Sequence, residues 1–213
     1  YEIDMKIFSA KLFVSALIAL TIPMFSTQTS QLFCQDRSEV RQVGQLFDQF
    51  GESHDIEVDG RTVFMASGIS GLQIFDVSDP ENPVEVGNLE TDGIPSGVAF
   101  DDNYAYIADS RNGLLIFDVS DPENLEEIGL YPIEESILSL EIRDDFAYLS
   151  DSRNRFRILD VSDPANIEEV GLIEIFLGIE DIQLVGDLAY VVNRRSGLRV
   201  IDISDPENPE ELA

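Results

Sequence analysis

Apolar and polar residues alternate along the chain in short runs that end at Asp, Asn, Gly or Pro. In one stretch these runs cover residues 97–101, 104–109, 113–119 and 126–131. β-Branched and aromatic residues dominate the runs, and no apolar stripe of helical period continues through the Gly and Pro breaks. The pattern therefore predicts four short strands joined by tight turns.

The same unit recurs with a fixed period. The pentapeptide Asp-(Val/Ile)-Ser-Asp-Pro begins at Asp76, Asp118, Asp160 and Asp202, always 42 residues apart. A period of this size with four short strands per unit is typical of a β-propeller, in which each repeat forms one blade. The expected fold class is all-β, with four-stranded antiparallel blades and about four blades in this sequence.

Two columns of the repeat indicate how the blades pack. A bulky aromatic residue recurs where neighbouring blades would meet, at Phe64, Tyr106, Tyr148 and Tyr190. A small residue precedes it on the opposite face of the strand, at Val63, Ala105, Ala147 and Ala189. We therefore expect each blade to be packed on both of its faces.

The Ser-Asp-Pro stretch has a mechanical explanation. Proline sets φ for the second position of a type I turn, and the aspartate before it accepts a hydrogen bond from a backbone N–H two residues on. This interpretation applies to the second aspartate of each motif, at Asp79, Asp121, Asp163 and Asp205. The first aspartate of each motif ends an apolar strand and is expected to anchor loop amides.

Longer runs around this motif resemble a known repeat family. The segments GLQIFDVSDPENP, GLLIFDVSDPEN and GLRVIDISDPENP follow strands such as NYAYIAD and DLAYVVN. They look like the LVIVD repeat of exported and surface proteins of bacteria and archaea, and the resemblance covers residues 40–213. It implies a propeller-type fold and assigns no activity to any residue. The third copy has Arg155 where the others have Gly71, Gly113 and Gly197, which places that turn in question.

The amino-terminal region has the pattern of a secreted protein. Lys6 and Lys11 are followed by an apolar stretch at residues 12–25, and cleavage is expected near residues 27–30. Residues 1–30 are therefore interpreted as upstream sequence plus a signal peptide at about residues 5–30, and residues 31–39 as a linker. A lipoprotein modified at Cys34 is the alternative. The expected location is secreted or cell-surface, with no membrane span after cleavage.

Residues 40–213 are interpreted as the propeller repeats. The expected elements are an outer strand at 40–47, blades at 54–90, 96–132 and 138–174, and an incomplete blade at 180–213. An outer strand without its blade and a blade without its outer strand predict a fragment of a larger propeller. The isolated 31–213 segment is then expected to aggregate or oligomerise, and a longer gene product to be a monomer.

The composition of the chain argues against several classes of function. The 42 acidic and 13 basic side chains give a net charge of −29, which repels phosphate backbones and argues against nucleic-acid partners. One His and one Cys are too few for a transition-metal site. With no nucleophile motif or phosphate-binding loop, the expected function is a non-catalytic module without a cofactor that binds an extracellular protein or glycan, or acts as a scaffold. A hydrolase or lyase working in the channel is the alternative.

The channel mouth is the expected place for a site, because every blade contributes residues there. The candidate binding residues are Asp55, Glu57, Asp109, Glu141, Asp151, Asp181, Gln183 and Asn193. Their oxygen atoms suit calcium, and the other interpretation is that they line a water-filled channel. The loops at 110–113, 152–155 and 194–197 place basic residues on one rim, where an acidic or carbohydrate partner would bind.

Overall fold

The computed structural model describes residues 52–122, 124–176 and 178–212. The predicted signal peptide, Cys34 and the predicted outer strand at 40–47 lie outside these residues. In the described part of the chain sixteen strands form four sheets, and the one helical segment is a 3-10 turn at Gly68–Ser70. No helix in this part is long and apolar enough to cross a membrane.

Each sheet is one blade of four consecutive strands. Blade 1 contains β1 (Asp55–Asp59), β2 (Thr62–Ala66), β3 (Leu72–Asp76) and β4 (Val84–Leu89). Blade 2 contains β5 (Pro95–Asp101), β6 (Tyr104–Asp109), β7 (Gly113–Asp118) and β8 (Glu126–Tyr131). Blade 3 contains β9 (Ile137–Arg143), β10 (Phe146–Asp151), β11 (Arg155–Asp160) and β12 (Glu168–Glu174). Blade 4 contains β13 (Ile179–Val185), β14 (Leu188–Asn193), β15 (Gly197–Asp202) and β16 (Glu210–Glu211).

Every blade is an antiparallel meander in chain order. The first strands β1, β5, β9 and β13 contact one another in succession and so form the inner edge of the arc of blades. The predicted all-β class with four-stranded antiparallel blades is confirmed. Two predicted strand boundaries of blade 2 differ. β7 ends at Asp118 and not at Val119. β5 begins at Pro95 and not at Gly97, because its pairing with β6 shifts register between these residues and continues beyond the shift.

The hydrophobic core lies between blades. We call the side of a blade that packs on the next blade its forward face, and the side that packs on the preceding blade its back face. One cluster joins the forward face of blade 1 to the back face of blade 2, through Phe64, Ala66, Leu72, Ile74, Val98, Ala105, Ile107, Leu115, Phe117 and Val119. Equivalent clusters join blade 2 to blade 3 and blade 3 to blade 4. Each seam therefore repeats the same contact.

Small side chains on the back face of each blade allow neighbouring blades to pack closely. Ala105, Ala147 and Ala189 lie on the back faces of blades 2, 3 and 4 and are fully buried. The aromatic column faces the other way, and Phe64, Tyr106 and Tyr148 are buried in successive seams. Burial raises the pKa of Tyr106 to about 12, with Asp101 the next contribution.

The Asp-Pro turns form as the sequence predicts. In blade 1, Ser78 donates its backbone N–H and its hydroxyl to Asp76 Oδ1, at 2.7 and 2.5 Å. The Glu81 N–H donates to Asp79 Oδ1 at 3.0 Å, and the Asn82 side chain donates to Asp79 Oδ2 at 2.8 Å. The serine hydroxyl, followed by the serine amide, lowers the pKa of the first aspartate in every repeat, at Asp76, Asp118, Asp160 and Asp202.

These turns also lock neighbouring blades together. In blades 1 to 3 a glycine of the outer strand lies opposite an isoleucine of the third strand, as Gly129 does opposite Ile116. A Cβ atom added at Gly129 would lie 2.4 Å from the carbonyl oxygen of Pro164, in the turn of the next blade. The corresponding distances are 2.3 Å at Gly87 and 2.3 Å at Gly171. The outer strand therefore requires glycine at this position for the next turn to dock.

We predict that Gly129→Ala destabilises the protein by about 1–3 kcal/mol, because the new methyl group overpacks against fixed backbone. Gly97→Ala is the matched control, since its Cβ would meet Ala108 Cβ at 3.5 Å and no atom closer. The control should change the free energy of unfolding by less than about 1 kcal/mol. Urea denaturation measures the free energy of unfolding of both variants. Equal losses of stability would contradict the close contact between Gly129 and the Pro164 carbonyl.

Candidate functional site

The first column of candidate residues joins the inner strands of neighbouring blades. Asp55 Oδ2 accepts the backbone N–H of Val98 in the next blade at 3.0 Å. Ser139 occupies the same column in blade 3, and its hydroxyl donates to Asp181 Oδ1 in blade 4 at 3.0 Å. The Ile182 N–H is shared between Ser139 Oγ and Asp181 Oδ1, at 3.2 and 3.0 Å. Asp55 and Asp181 thus have a structural role at the seams.

The second column lies two residues further along the inner strands. Glu57, Glu141 and Gln183 are half-buried, and in the strand register each is opposite the aromatic residue of the adjacent strand. Glu57 and Glu141 are both engaged in contacts with other groups. The column therefore lies on the forward face of each inner strand, beside the aromatic column.

The third column closes the turns between second and third strands. Asp109 is fully buried, and its Oδ1 accepts the backbone N–H groups of Arg111 and Asn112, both at 2.9 Å. Asn193 performs the same task in blade 4, where its Oδ1 accepts from Arg195 N at 3.1 Å and Ser196 N at 3.0 Å. Such an Asx turn needs a side-chain oxygen but no charge, which explains why Asp and Asn both serve.

Blade 3 adds an ion-pair network to this turn. Asp151 is fully buried, and its Oδ2 accepts from Arg155 Nε at 2.7 Å and Arg157 Nε at 3.0 Å. Arg155 also pairs with Glu135 at 2.5 Å, and Arg157 with Glu169. Burial by itself lowers the pKa of Arg157, but its hydrogen bonds to Asp151 and Glu169 outweigh burial and raise the pKa overall.

The same network explains the departure at Arg155. In blade 2 the turn residue Gly113 has φ +91, in the left-handed region that favours glycine. In blade 3 the left-handed residue is Asn154, with φ +68, one position earlier. Asparagine tolerates this conformation, so Arg155 is free to begin β11 and pair with Asp151. The turn that the sequence placed in question is therefore intact in an altered form.

The candidate carboxylates do not converge on one metal position. Among residues 52–122, 124–176 and 178–212, no group of three or more His, Cys, Asp or Glu side chains is arranged to hold a metal ion. An open cleft of about 400 Å³ lies at the ends of the inner strands of blades 1 and 2, lined by Glu57, Val58, Asp59, Phe100, Asp101 and Asp102. Burial, then Asp102, raises the pKa of Asp101. Only Glu57 of the predicted set lines this cleft.

The basic rim loops lie at the end of the blades where second and third strands are joined. The connection from blade 3 to blade 4 lies between two of these turns. Asn193 Nδ2 donates to the carbonyl of Phe176 at 2.8 Å, and Arg194 N donates to the carbonyl of Gly178 at 2.9 Å. On the other side, Ile175 N donates to the carbonyl of Asn154 at 2.8 Å. We call Arg153, Phe176, Arg194 and Arg195 the turn surface of blades 3 and 4.

Comparison with protein families agrees with the geometry. The family model described as "LVIVD repeat" matches residues 50–91, 92–132, 138–174 and 179–213, so that the four matches correspond to the four blades. The chain belongs to the LVIVD repeat family. The predicted resemblance is thereby confirmed. No curated protein matches the chain in sequence.

Solved structures similar to this LVIVD protein include β-propellers. The designed Ika4 protein matches with a TM-score of 0.63 and 8% identity, over 77% of this chain and 99% of that chain. The designed Ika8 protein matches with a TM-score of 0.61 and 8% identity, over 77% of this chain and 50% of that chain. The β-propeller domain of Myceliophteria thermophila Cps50 (Swd1) matches with a TM-score of 0.62 and 14% identity, over 75% of this chain and 56% of that chain. The LVIVD chain thus spans about half the length of two of these proteins, and the likeness confirms the propeller fold alone.

Two features of the LVIVD protein are absent from the sequence prediction. Phe176 is 79% exposed, and in the sequence it looks like one more apolar residue of a strand. The glycine column at Gly87, Gly129 and Gly171 carries a signal that could have been found, because it also recurs every 42 residues.

We predict that Asp151→Asn destabilises the LVIVD protein by about 3 kcal/mol, because Arg155 and Arg157 lose a buried counter-charge. The matched control is Asp109→Asn. Asp109 Oδ2 has no hydrogen-bond partner among the described residues, and Asn193 already performs this task in blade 4.

The control should be neutral or stabilising. Denaturant unfolding at neutral pH compares the two variants. Equal losses of stability would contradict the ion-pair role assigned to Asp151.

Proposed function

We propose that this LVIVD propeller is an exported, non-catalytic module that binds a protein partner through the turn surface of blades 3 and 4. The observation that carries the proposal is Phe176, whose aromatic side chain is 79% exposed on a backbone held by hydrogen bonds. The secretion pattern of residues 5–30 supports export, and the exposed turn surface supports the binding role.

The anchoring of Phe176 favours binding. Its carbonyl accepts from the buried Asn193 side chain, and the preceding residue Ile175 is buried and bonded to Asn154. An exposed aromatic side chain on a fixed backbone loses little conformational freedom when a partner covers it. Aromatic residues and arginine are enriched where protein interfaces carry most of their binding energy.

The arginines around Phe176 define the chemistry of the partner. The side chains of Arg153 and Arg194 are 66% and 72% exposed, and each pairs with one acidic residue, Glu135 or Glu180. Arg195 is exposed and forms no ion pair with another described residue. In a chain with net charge −29, this surface is suited to a partner with an apolar group flanked by carboxylates.

The geometry of the candidate carboxylates favours a non-catalytic role. Asp55 and Asp181 are engaged at blade seams, and Asp109 and Asp151 close turns. A pair of carboxylates that acts as general acid and base must instead face a bound substrate. Structural engagement of these groups supports the binding proposal over the hydrolase or lyase alternative.

We predict that Phe176→Ala weakens binding to the partner at least tenfold, because truncation of an interface hot spot costs about 2 kcal/mol. The partner would be captured from the extracellular proteins of the source with the immobilised 31–213 chain, identified, and its affinity measured by titration. Leu130→Ala is the matched control, since Leu130 is 48% exposed on the outer strand of blade 2.

If the affinity of Phe176→Ala for the partner were unchanged, the proposal that the turn surface binds the partner would be wrong. Binding to an acidic glycan array, with loss in Arg195→Gln, would replace the protein partner with a glycan. Turnover on ester, phosphate or glycoside substrates that Glu57→Gln or Glu141→Gln abolishes would overturn the non-catalytic role.

A further inference from the structure

The buried carboxylate of Asp109 lacks the positive charges that its counterpart in blade 3 has. Asp109 and Asp151 occupy the same position of the repeat, and both are 0% exposed. Asp151 Oδ2 accepts hydrogen bonds from Arg155 and Arg157, but in blade 2 a glycine and a leucine occupy the positions of these arginines. No described residue donates a hydrogen bond to Asp109 Oδ2. A buried charge without a partner is costly, and proteins pair such a charge or use it to hold an ion.

The other two blades have neutral side chains at this position. The corresponding residues are Ser67 in blade 1 and Asn193 in blade 4, and both are buried. Neither carries a charge, so neither turn needs a counter-charge. Among the four described turns, that of blade 2 thus has a buried carboxylate that no described side chain balances, and one positive charge would balance it.

Thr91 supplies a second buried oxygen in the seam between blades 1 and 2. This threonine lies in the connection from blade 1 to blade 2, and the next two connections have Ile133 and Ile175 at the same position. Both isoleucines are buried in the cores of their seams. Thr91 Oγ1 is also buried, and it has no hydrogen-bond partner among the described residues. The first seam therefore has a polar atom at a position that is purely apolar in the other two.

The connection from blade 1 to blade 2 covers the Asp109 carboxylate. A Cβ atom added at Gly93 would lie 2.1 Å from Asp109 Oδ1 and 2.7 Å from Asp109 Oδ2, so the backbone of this glycine packs directly on the carboxylate. Ser110 holds the connection in place, because its Oγ accepts from Ile94 N at 2.9 Å and its N–H donates to the carbonyl of Ile94 at 3.1 Å. Thr91 is two residues before Gly93, so their Cα atoms are at most about 7 Å apart. The two buried oxygens thus lie at the same end of one seam, where only a small group fits.

We propose that Asp109 Oδ2 and Thr91 Oγ1 bind a small monovalent cation, Na⁺ or K⁺, at the turn end of the seam between blades 1 and 2. Hard cations take oxygen ligands, and one positive charge balances the single carboxylate. The cation replaces the guanidinium groups that balance Asp151 in blade 3, and it ties the connection to blade 2. A lysine or arginine side chain of a partner is too large for a carboxylate that is 0% exposed beneath this connection. The site is separate from the turn surface of blades 3 and 4.

Thermal unfolding of the exported protein tests the cation site. In a buffer whose cation is tetramethylammonium, which is too large for the site, Asp109→Asn should be at least as stable as the parent protein. Replacement of tetramethylammonium by Na⁺ or K⁺ at constant ionic strength should raise the melting temperature of the parent by about 3 °C, because the cation binds the folded state alone. Asp109→Asn should not show this increase. Asp102→Asn is the matched control, since it removes an exposed carboxylate from the same blade, and it should retain the increase.

A second variant and a direct measurement of the ion position complete the test. Thr91→Val replaces the buried hydroxyl with a methyl group, so it should be as stable as the parent in tetramethylammonium and gain less from Na⁺ or K⁺. Thallium(I) is an electron-dense substitute for K⁺, and crystals soaked in it should show an anomalous peak between Asp109 Oδ2 and Thr91 Oγ1. The proposal would be overturned by no increase in the parent, by equal increases in the parent and Asp109→Asn, or by a response to calcium alone. Thallium bound only elsewhere, or not at all, would overturn it as well.

Discussion

The structure depends on the burial of two apolar faces per sheet when no sheet has a core of its own. A four-stranded sheet exposes a row of apolar side chains on each side, and only another sheet of matching shape covers them. Here the match comes from repetition, because each seam places the aromatic residue of one blade against the small and aliphatic residues of the next. The 42-residue period is therefore a requirement of packing, and strand lengths, turns and outer-strand glycines all follow from it.

The packing of blade on blade also explains the structural role of most of the buried polar groups. Aspartates and an asparagine at the strand ends satisfy backbone amides that the tight turns leave without partners, and Asp151 also balances two arginines. Most of the negative charge lies instead on exposed turns and outer strands, where water solvates it. The exposed aromatic residue at the blade 3 to blade 4 connection, Phe176, is not part of this scaffold.

Much of the fold could be predicted because the pattern of apolar strands and polar turns repeats along the chain. The bounds of β6 and β8 in blade 2 and the aspartate turns followed from alternation and turn chemistry. Features that depend on contacts between repeats could not be read in the same way: the start of β5 depends on a bulge, and the need for Gly129 depends on the Pro164 carbonyl. The candidate site shows the same limit. Glu57 could be placed on the inner strand, but the use of Asp55 and Asp181 as seam links depends on atoms 43 and 42 residues away.

The seams between blades, and not the individual blades, supply most of the stabilisation of the fold. Differential scanning calorimetry distinguishes the two sources of stability. If no blade has a core of its own, the four blades must unfold together, and the calorimetric enthalpy of unfolding should equal the van't Hoff enthalpy. A calorimetric enthalpy several times larger than the van't Hoff value, or resolved transitions for separate blades, would show that each blade is stable by itself and that the seams are not the main source of stability.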